Sequence, residues 1–221
     1  MTNSMRSHSP TATSHPVKST RGFTLVEMAI VLAIVALLLG GLLPTLSSQF
    51  EQQRRNETRK YMDEVRDALL GYAIANKHLP CPDSNNDGSA EATCATAASQ
   101  IGTLPYIDLG VTNKDAYGNA LVYAVTKEFA DSTTHFTLGT PGTLQVCTTA
   151  CTANLTTNAV AVIVSRGANW ATATSADEAE NINGDTKFIS RDFVQNGYDD
   201  LVIWLSPNIL FNRMVAAGQL P

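Results

Sequence analysis

The sequence predicts an α+β fold: a long N-terminal helix, membrane-spanning in its first half, an antiparallel sheet packed on its second half, and a short C-terminal helix. Three observations predict it. From Phe23 to Leu46 there are 24 residues and a single charge, Glu27, which at about 1.5 Å per residue is helix enough to cross about 30 Å of hydrocarbon. From Ser47 to Asn76 apolar residues recur at spacings of three and four, the mark of a helix with one buried face. Beyond Pro80 the pattern changes to short runs bounded by Gly, Asn, Asp or Pro, as strands require.

Lys18 and Arg21 precede the apolar run, so the segment before it is expected on the cytoplasmic side and the chain after Leu46 outside. A secretory signal would have a shorter apolar core and a small-residue cleavage site. In the outward continuation Phe50, Tyr61, Met62, Val65, Ala68, Leu69 and Tyr72 form the apolar face. Between Glu51 and Asp67 five basic residues (Arg54, Arg55, Arg59, Lys60, Arg66) interleave with Glu57, Asp63, Glu64 and Asp67, read as a solvated face with helical ion pairs or as a contact band between subunits. His78-Leu79-Pro80-Cys81-Pro82 ends the helix, because residues before proline leave the α region. The expected strands are Ala120 to Thr126, His135 to Leu138, Thr143 to Cys147, Ala159 to Ser165, Lys187 to Ser190 and Leu201 to Leu205, with Thr140-Pro141-Gly142 as a hairpin connection. Ser206-Pro207 opens the last helix, which runs to Ala217 and ends at Gly218: a hydroxyl at the cap, proline in the first turn, glycine after the last.

A carboxylate inside an apolar helix is costly, and such residues are usually functional or paired. With its neighbours, Gly22-Phe23-Thr24-Leu25-Val26-Glu27 resembles the processing site of type IV prepilins and the related type II secretion pseudopilins. The resemblance implies cleavage after Gly22 by a prepilin peptidase, methylation of Phe23 as the new first residue, and a glutamate that meets the terminal amine of a neighbouring subunit during assembly. An ammonium is a fitting counter-ion for a carboxylate in low dielectric. Pro44 falls where many pilins carry a helix-loosening proline, which removes one backbone bond. The implied organisation is a cytoplasmic leader over residues 1–22, removed; a transmembrane half-helix over 23–46; an exported half-helix over 47–78; and a sheet-bearing head over 79–221. The leader is long for this family and rich in Ser, Thr, Pro and His, a disordered composition; Met5 offers a second start.

Removing the leader's three basic residues leaves twelve Lys and Arg against twenty Asp and Glu, a net of −8. An acidic exported part argues against a nucleic-acid partner, which needs clustered basic residues to neutralise phosphates. The four cysteines suit an oxidising compartment. Cys81 and Cys94 bracket one polar loop and Cys147 and Cys151 another, so sequential pairing is the simplest of three connectivities. No His stands near either pair at zinc-ligand spacing. Inside the first loop Asp83, Asn85 and Asp87 with Gly88 fit the first half of a calcium loop. Position twelve is Cys94 rather than a bidentate glutamate, with Glu91 the nearest substitute, and an Asx-rich turn clamped by a disulfide explains the same letters without metal.

Asp115-Ala116-Tyr117-Gly118-Asn119 with Tyr123, and Ser165-Arg166-Gly167-Ala168-Asn169, resemble the major pseudopilin of type II secretion. The resemblance implies a calcium loop after the second motif, which directs attention to Asp177, Glu180 and Asp185; an insertion rich in Ala and Thr disturbs the match, and a solvated acidic loop is the other reading. Enzyme signatures are missing: there is no G-x-S-x-G elbow, no phosphate-binding glycine loop and no His pair on a helix. Asp199 and Asp200, adjacent before Leu201, are expected to point apart as strand neighbours do, and so not to share a site. The expected function is therefore structural: a minor pilin or pseudopilin of a type IV pilus or type II secretion pseudopilus, anchored once in a bacterial inner membrane, partnered by other subunits through the N-terminal helix and by the peptidase, with no cofactor unless calcium binds. The alternative is a membrane-anchored surface-binding protein or adhesin that does not polymerise.

Overall fold

The computed structural model describes residues 22–220, with the side chains of residues 41–46 outside the description. The expected leader, apart from Gly22, lies outside the described residues. The chain divides between Ser47 and Ser48 into two compact units.

Helix α1, Leu25–Asn76, runs through both. It ends where the proline-rich segment was expected to end it, and Lys77 follows in the left-handed region at φ 66°. In the first unit Thr24 is its N-cap. The Glu27 amide donates to Thr24 Oγ1 at 3.2 Å, and the Thr24 amide and hydroxyl donate to Glu27 Oε2 at 2.8 and 2.9 Å. This is a capping box. Glu27 thus has a local role that its isolation in an apolar run concealed. Among the described residues no helix is long and apolar enough to cross a membrane; the expected span includes residues 41–46, whose side chains are not described. Pro44 lies within helical backbone.

In the second unit α1 buries Thr58, Met62, Val65, Leu69, Leu70 and Ala73. Phe50, expected on this face, is 60% exposed: at this level of the helix the tie to the head goes through the neighbouring Glu51, which accepts from the Tyr117 hydroxyl. The charged band also differs from expectation. Among the described residues one ion pair forms within α1, Arg66 to Asp63 at 3.0 Å; Arg55 instead lies 4.1 Å over the Phe193 ring.

The head contains β1 (Ile101–Thr103), α2 (Tyr106–Leu109), β2 (Val122–Val125), α3 (Lys127–Ala130), β3 (Leu144–Cys147), β4 (Asn154–Ala159), β5 (Ala161–Ser165), α4 (Ala176–Glu180), β6 (Lys187–Ile189), β7 (Leu201–Leu205) and α5 (Pro207–Ala216). A four-stranded antiparallel sheet has the order β1-β2-β5-β7. The second sheet, β4-β3-β6, pairs β3 with β4 antiparallel and with β6 parallel. Strand alternation gives the first sheet two buried faces. Tyr123, Val125, Ala161, Ile163 and Leu205 join Met62, Val65, Leu69, Leu210 and Met214 on the helix side. Ala124, Val162 and Val164 pack with Leu144, Val146 and Phe188 of the second sheet on the other. The architecture is α+β in three layers, consistent with a pilin-like fold. One antiparallel sheet was expected; the uninterrupted apolar β5 requires cover on both sides, and the second sheet supplies it.

His135–Leu138 forms no strand, and the expected hairpin is absent. The Thr140 amide donates to the Thr137 carbonyl at 3.0 Å, so the chain turns inside the expected strand, while Phe136 plugs into a cluster with Phe129 and Phe211. Gly142 lies so close to β4 that a Cβ would meet the Ala159 carbonyl oxygen at 2.5 Å. Both disulfides have the sequential pairing, Cys81–Cys94 and Cys147–Cys151. Helix α5 has the expected cap: Ser206 Oγ accepts from the Ile209 amide and Pro207 occupies the first turn.

Leu69 has no exposed surface, so Leu69→Ala should cost about 2–5 kcal/mol through lost burial and a cavity. Phe50→Ala should change stability by less than about 0.5 kcal/mol. Denaturant unfolding of the two variants beside the parent checks the contrast.

Candidate functional site

The two glycine-containing motifs of the head meet. Asp115 is buried; its Oδ1 accepts from the amides of Tyr117 and Asn119, both at 2.9 Å, and its Oδ2 from the Ser165 hydroxyl at 2.5 Å. Asn119 Nδ2 donates to the Gly167 carbonyl at 2.9 Å. The same turn is tied to α1, through the Ala116 amide to Thr58 Oγ1 at 3.3 Å and the Tyr117 hydroxyl to Glu51 at 2.6 Å. Burial, and then Glu51, push the Tyr117 hydroxyl far above its ordinary range. Gly167 is left-handed at φ +57°, and a Cβ there would stand 2.4 Å from Asp199 Cγ. The second motif therefore presses on a carboxylate.

Asp199 Oδ2 accepts from the amides of Ala168 and Asn169 at 2.7 and 3.3 Å, and its Oδ1 is buried without a partner. Beneath it Ser175 and Glu178 form the capping box of α4. Glu178 Oε2 accepts from the Thr174 amide and hydroxyl and the Ser175 amide. Its Oε1 accepts from Asn169 Nδ2 and the Asp199 amide. Asp200 Oδ2 accepts from Asn181 Nδ2 at 2.8 Å. Carboxylate oxygens of Glu178, Asp199 and Asp200 lie within 4.8 Å of one another. The expectation that Asp199 and Asp200 share no site is thus overturned. Both precede β7, so the pleat that separates strand neighbours does not act on them.

The three acids differ in protonation. Burial opposes ionisation of Glu178, but hydrogen bonds from Thr174, Asn169 and the Asp199 amide outweigh it and hold the carboxyl at about 2. Burial raises Asp199. Burial, and then the charges of Glu178 and Asp199, bring Asp200 up to about 7, against the Asn181 bond. Every oxygen of Glu178 is already committed to donors. A hard cation, which takes six to eight oxygens, would find Asp199 Oδ1 and Asp200 but would have to strip Glu178. A proton held by Asp200 meets the same repulsion at less rearrangement.

The residues singled out for calcium are dispersed. Asp177 pairs with Arg191 at 3.1 Å and accepts from the Ala150 amide at 2.9 Å. Glu180 accepts from Asn183 Nδ2, and Asp185 from the Lys187 amide. In the first disulfide loop Asp83 accepts from the amides of Asn85, Asn86 and Gly88. Asn85 accepts from the Asp87 amide, Asp87 from the Ser89 amide, and Glu91 from Ser84. These are Asx turns in series. A cleft of about 460 Å³ opens beside this loop, with Asp83, Asn86, Thr103, Arg166, Asn181 and Asp185 among its lining residues.

At the other end of the chain Phe23 is 82% exposed, ahead of the Thr24–Glu27 cap. Residues 17–43 match the family model of the prokaryotic N-terminal methylation motif. The match covers Gly22, Phe23 and Glu27 and supports a type IV prepilin- or pseudopilin-like segment. In general terms such a segment supports a subunit of pilin or pseudopilin type. No curated protein and no solved structure matches the chain.

Sequence reasoning found Asp199 and Asp200 but not their meeting with Glu178. The Ser175-x-x-Glu178 spacing was a readable capping signal, as was Thr24-x-x-Glu27.

An acid whose folded pKa of about 7 exceeds its unfolded value of about 3.9 holds more protons when folded. Its contribution is full below pH 3.9 and is lost as pH rises to 7. Asp200→Asn should therefore melt higher than the parent above pH 7 and no higher near pH 4, by differential scanning calorimetry at both pH values. If calcium instead bridges the acids, added calcium should raise the parent's melting temperature and the variant should melt lower.

The Cys81–Cys94 loop should depend on its disulfide more than on calcium. Closing it constrains the unfolded chain by about 3 kcal/mol in the entropy model, whereas its carboxylates are occupied by amides. Melts of the full-length Cys147→Ser/Cys151→Ser variant in detergent, which keeps only the first bridge, with a reductant and separately with a chelator, should show the larger drop with the reductant.

Proposed function

We propose that this chain is a minor pilin or pseudopilin of a type IV pilus or type II secretion pseudopilus. It is held in a bacterial inner membrane by Phe23 to Leu46, cleaved after Gly22, methylated on Phe23, and built into the fibre by packing of its N-terminal helix. The observation that carries this reading is the methylation-motif match over residues 17–43, whose Gly22-Phe23 junction and Glu27 stand at the spacing that the family's processing and assembly use. The head supports it in a second way. Asp83, Asp115 and Glu178 are tied to backbone amides and hold the fold, and the Thr58–Ala116 and Glu51–Tyr117 links fasten the head to the exported half of α1. The head's work is display on the fibre.

Mass spectrometry of the N-terminal peptide, from a host carrying the peptidase, should find methylated Phe23 as the first residue. Glu27→Ala should leave insertion and the head fold intact and reduce the chain in sheared fibres at least about tenfold, the loss of one charged contact. A membrane-resident protein that keeps its leader, or a Glu27→Ala variant recovered in fibres at the parent's level, favours the alternative of a surface-binding protein that does not polymerise.

A further inference from the structure

The two disulfides stand in different surroundings. Cys81 and Cys94 are 4% and 5% exposed, whereas in the second pair Cys147 is fully buried and Cys151 is half-buried at the surface. Of the four cysteines Cys151 is the one that is not buried, which makes the second bridge the more accessible to a reductant in solution, and access is one of the factors that set the rate of thiol–disulfide exchange. The loop that it closes is held out of its preferred conformation: Ala150 and Cys151, neither a glycine, both adopt φ +51°. Consecutive left-handed residues with a Cβ are disfavoured and persist only where their surroundings impose them. Here the bridge imposes them, together with the Ala150 amide bond to Asp177 Oδ1 at 2.9 Å.

That bond connects the loop to the acid pocket. Asp177 lies in the first turn of α4 and pairs with Arg191, whose guanidinium sits 4.7 Å over the Tyr198 ring. The Tyr198 hydroxyl and the Asn181 side chain share the Ile189 carbonyl, and Asn181 holds Asp200. Glu178, one residue after Asp177, is the underside of the pocket.

We propose that Cys147–Cys151 is a redox-opened latch on α4 and the acid pocket, selectively reduced by a dithiol while Cys81–Cys94 stays closed. A thiolate of the dithiol attacks Cys151 Sγ, forms a mixed disulfide there and expels Cys147 as thiolate. Gln145 Nε2, 3.3 Å from Cys147 Sγ, is a donor placed to stabilise that leaving group. The dithiol's second thiol then attacks the mixed disulfide, leaving two protein thiols and one oxidised dithiol. With the bridge open, Ala150 and Cys151 relax to negative φ, the Ala150 amide leaves Asp177, and the first turn of α4 loosens. The device is independent of whether the chain polymerises.

The test treats the full-length protein in detergent with graded dithiothreitol under native conditions, followed by alkylation and peptide mapping. Cys147 and Cys151 should be labelled at dithiol concentrations at least about tenfold below those that label Cys81 and Cys94. Hydrogen exchange of the selectively reduced protein should be faster over residues 148–153 and 174–181 and unchanged over β2, β5 and α5. The Cys147→Ser/Cys151→Ser double variant, with the first bridge intact, should reproduce this pattern without reductant. Opening of Cys81–Cys94 at the same or lower concentration overturns the proposal. So does exchange in 174–181 that is unchanged in both the reduced protein and the double variant, or that rises throughout the head.

Discussion

Strand β5 has no solvent face: all five residues from Ala161 to Ser165 are buried. The rest of the head follows from that constraint. Ala161 and Ile163 need an apolar layer on one side, which α1 and α5 provide, and Val162 and Val164 need one on the other, which the second sheet provides. The strand ends on a hydroxyl at zero exposure, and a buried hydroxyl must find a partner. Asp115 accepts that bond, and as a buried carboxylate it needs donors of its own, which the amides of Tyr117 and Asn119 supply. The chain then leaves β5 through Gly167, where only a residue without a Cβ passes Asp199. Burial of one strand thereby determines where two polar motifs meet and what lies beneath them.

A chain with twenty acids and fifteen bases cannot pair its carboxylates with cations one for one. It uses backbone amides instead. Asp83, Asp115 and Glu178 are all buried, and each accepts at least two N–H groups. Such bonds to an ionised acceptor are about twice as strong as neutral ones, and they fix loops that have no other regular structure. These bonds give the three acids a structural role. Asp177 has one amide and the Arg191 ion pair, and Asp200 has a single side-chain donor with two carboxylates beside it.

What could be read from the letters was whatever obeyed local rules. The end of α1 at Asn76, the bounds of β7, the capping of α5 and both disulfide pairs follow from prolines, turn residues that bound an apolar run, hydroxyl caps and short Cys spacings. What escaped depended on neighbours distant in sequence. Strand β4 has six residues of which only Leu155 is a large apolar one, and that one is 47% exposed, so no apolar alternation announces it. The run His135–Leu138 has β-favouring residues, but the pull of Phe129 and Phe211 on Phe136 decided its path. The acid pocket joins Glu178 to residues more than twenty positions later, and no spacing rule could foresee that the glutamate capping α4 would also receive the Asp199 amide.

Glu27 brings local and intermolecular demands onto one side chain. Both Thr24 donors fall on Oε2, which leaves Oε1 open among the described residues. Under the proposed assembly role, the amine of a neighbouring subunit can approach Oε1 while the helix keeps its cap. The two interactions then reinforce each other. The cap fixes the rotamer, so less side-chain freedom is lost on docking, and an ammonium added to an already hydrogen-bonded carboxylate meets a group whose remaining lone pairs are satisfied, the condition under which an ion pair in low dielectric repays its desolvation. Under the same proposal the threonine three residues before the glutamate belongs to the assembly device, because without it the carboxylate would have to be ordered and desolvated in the same step.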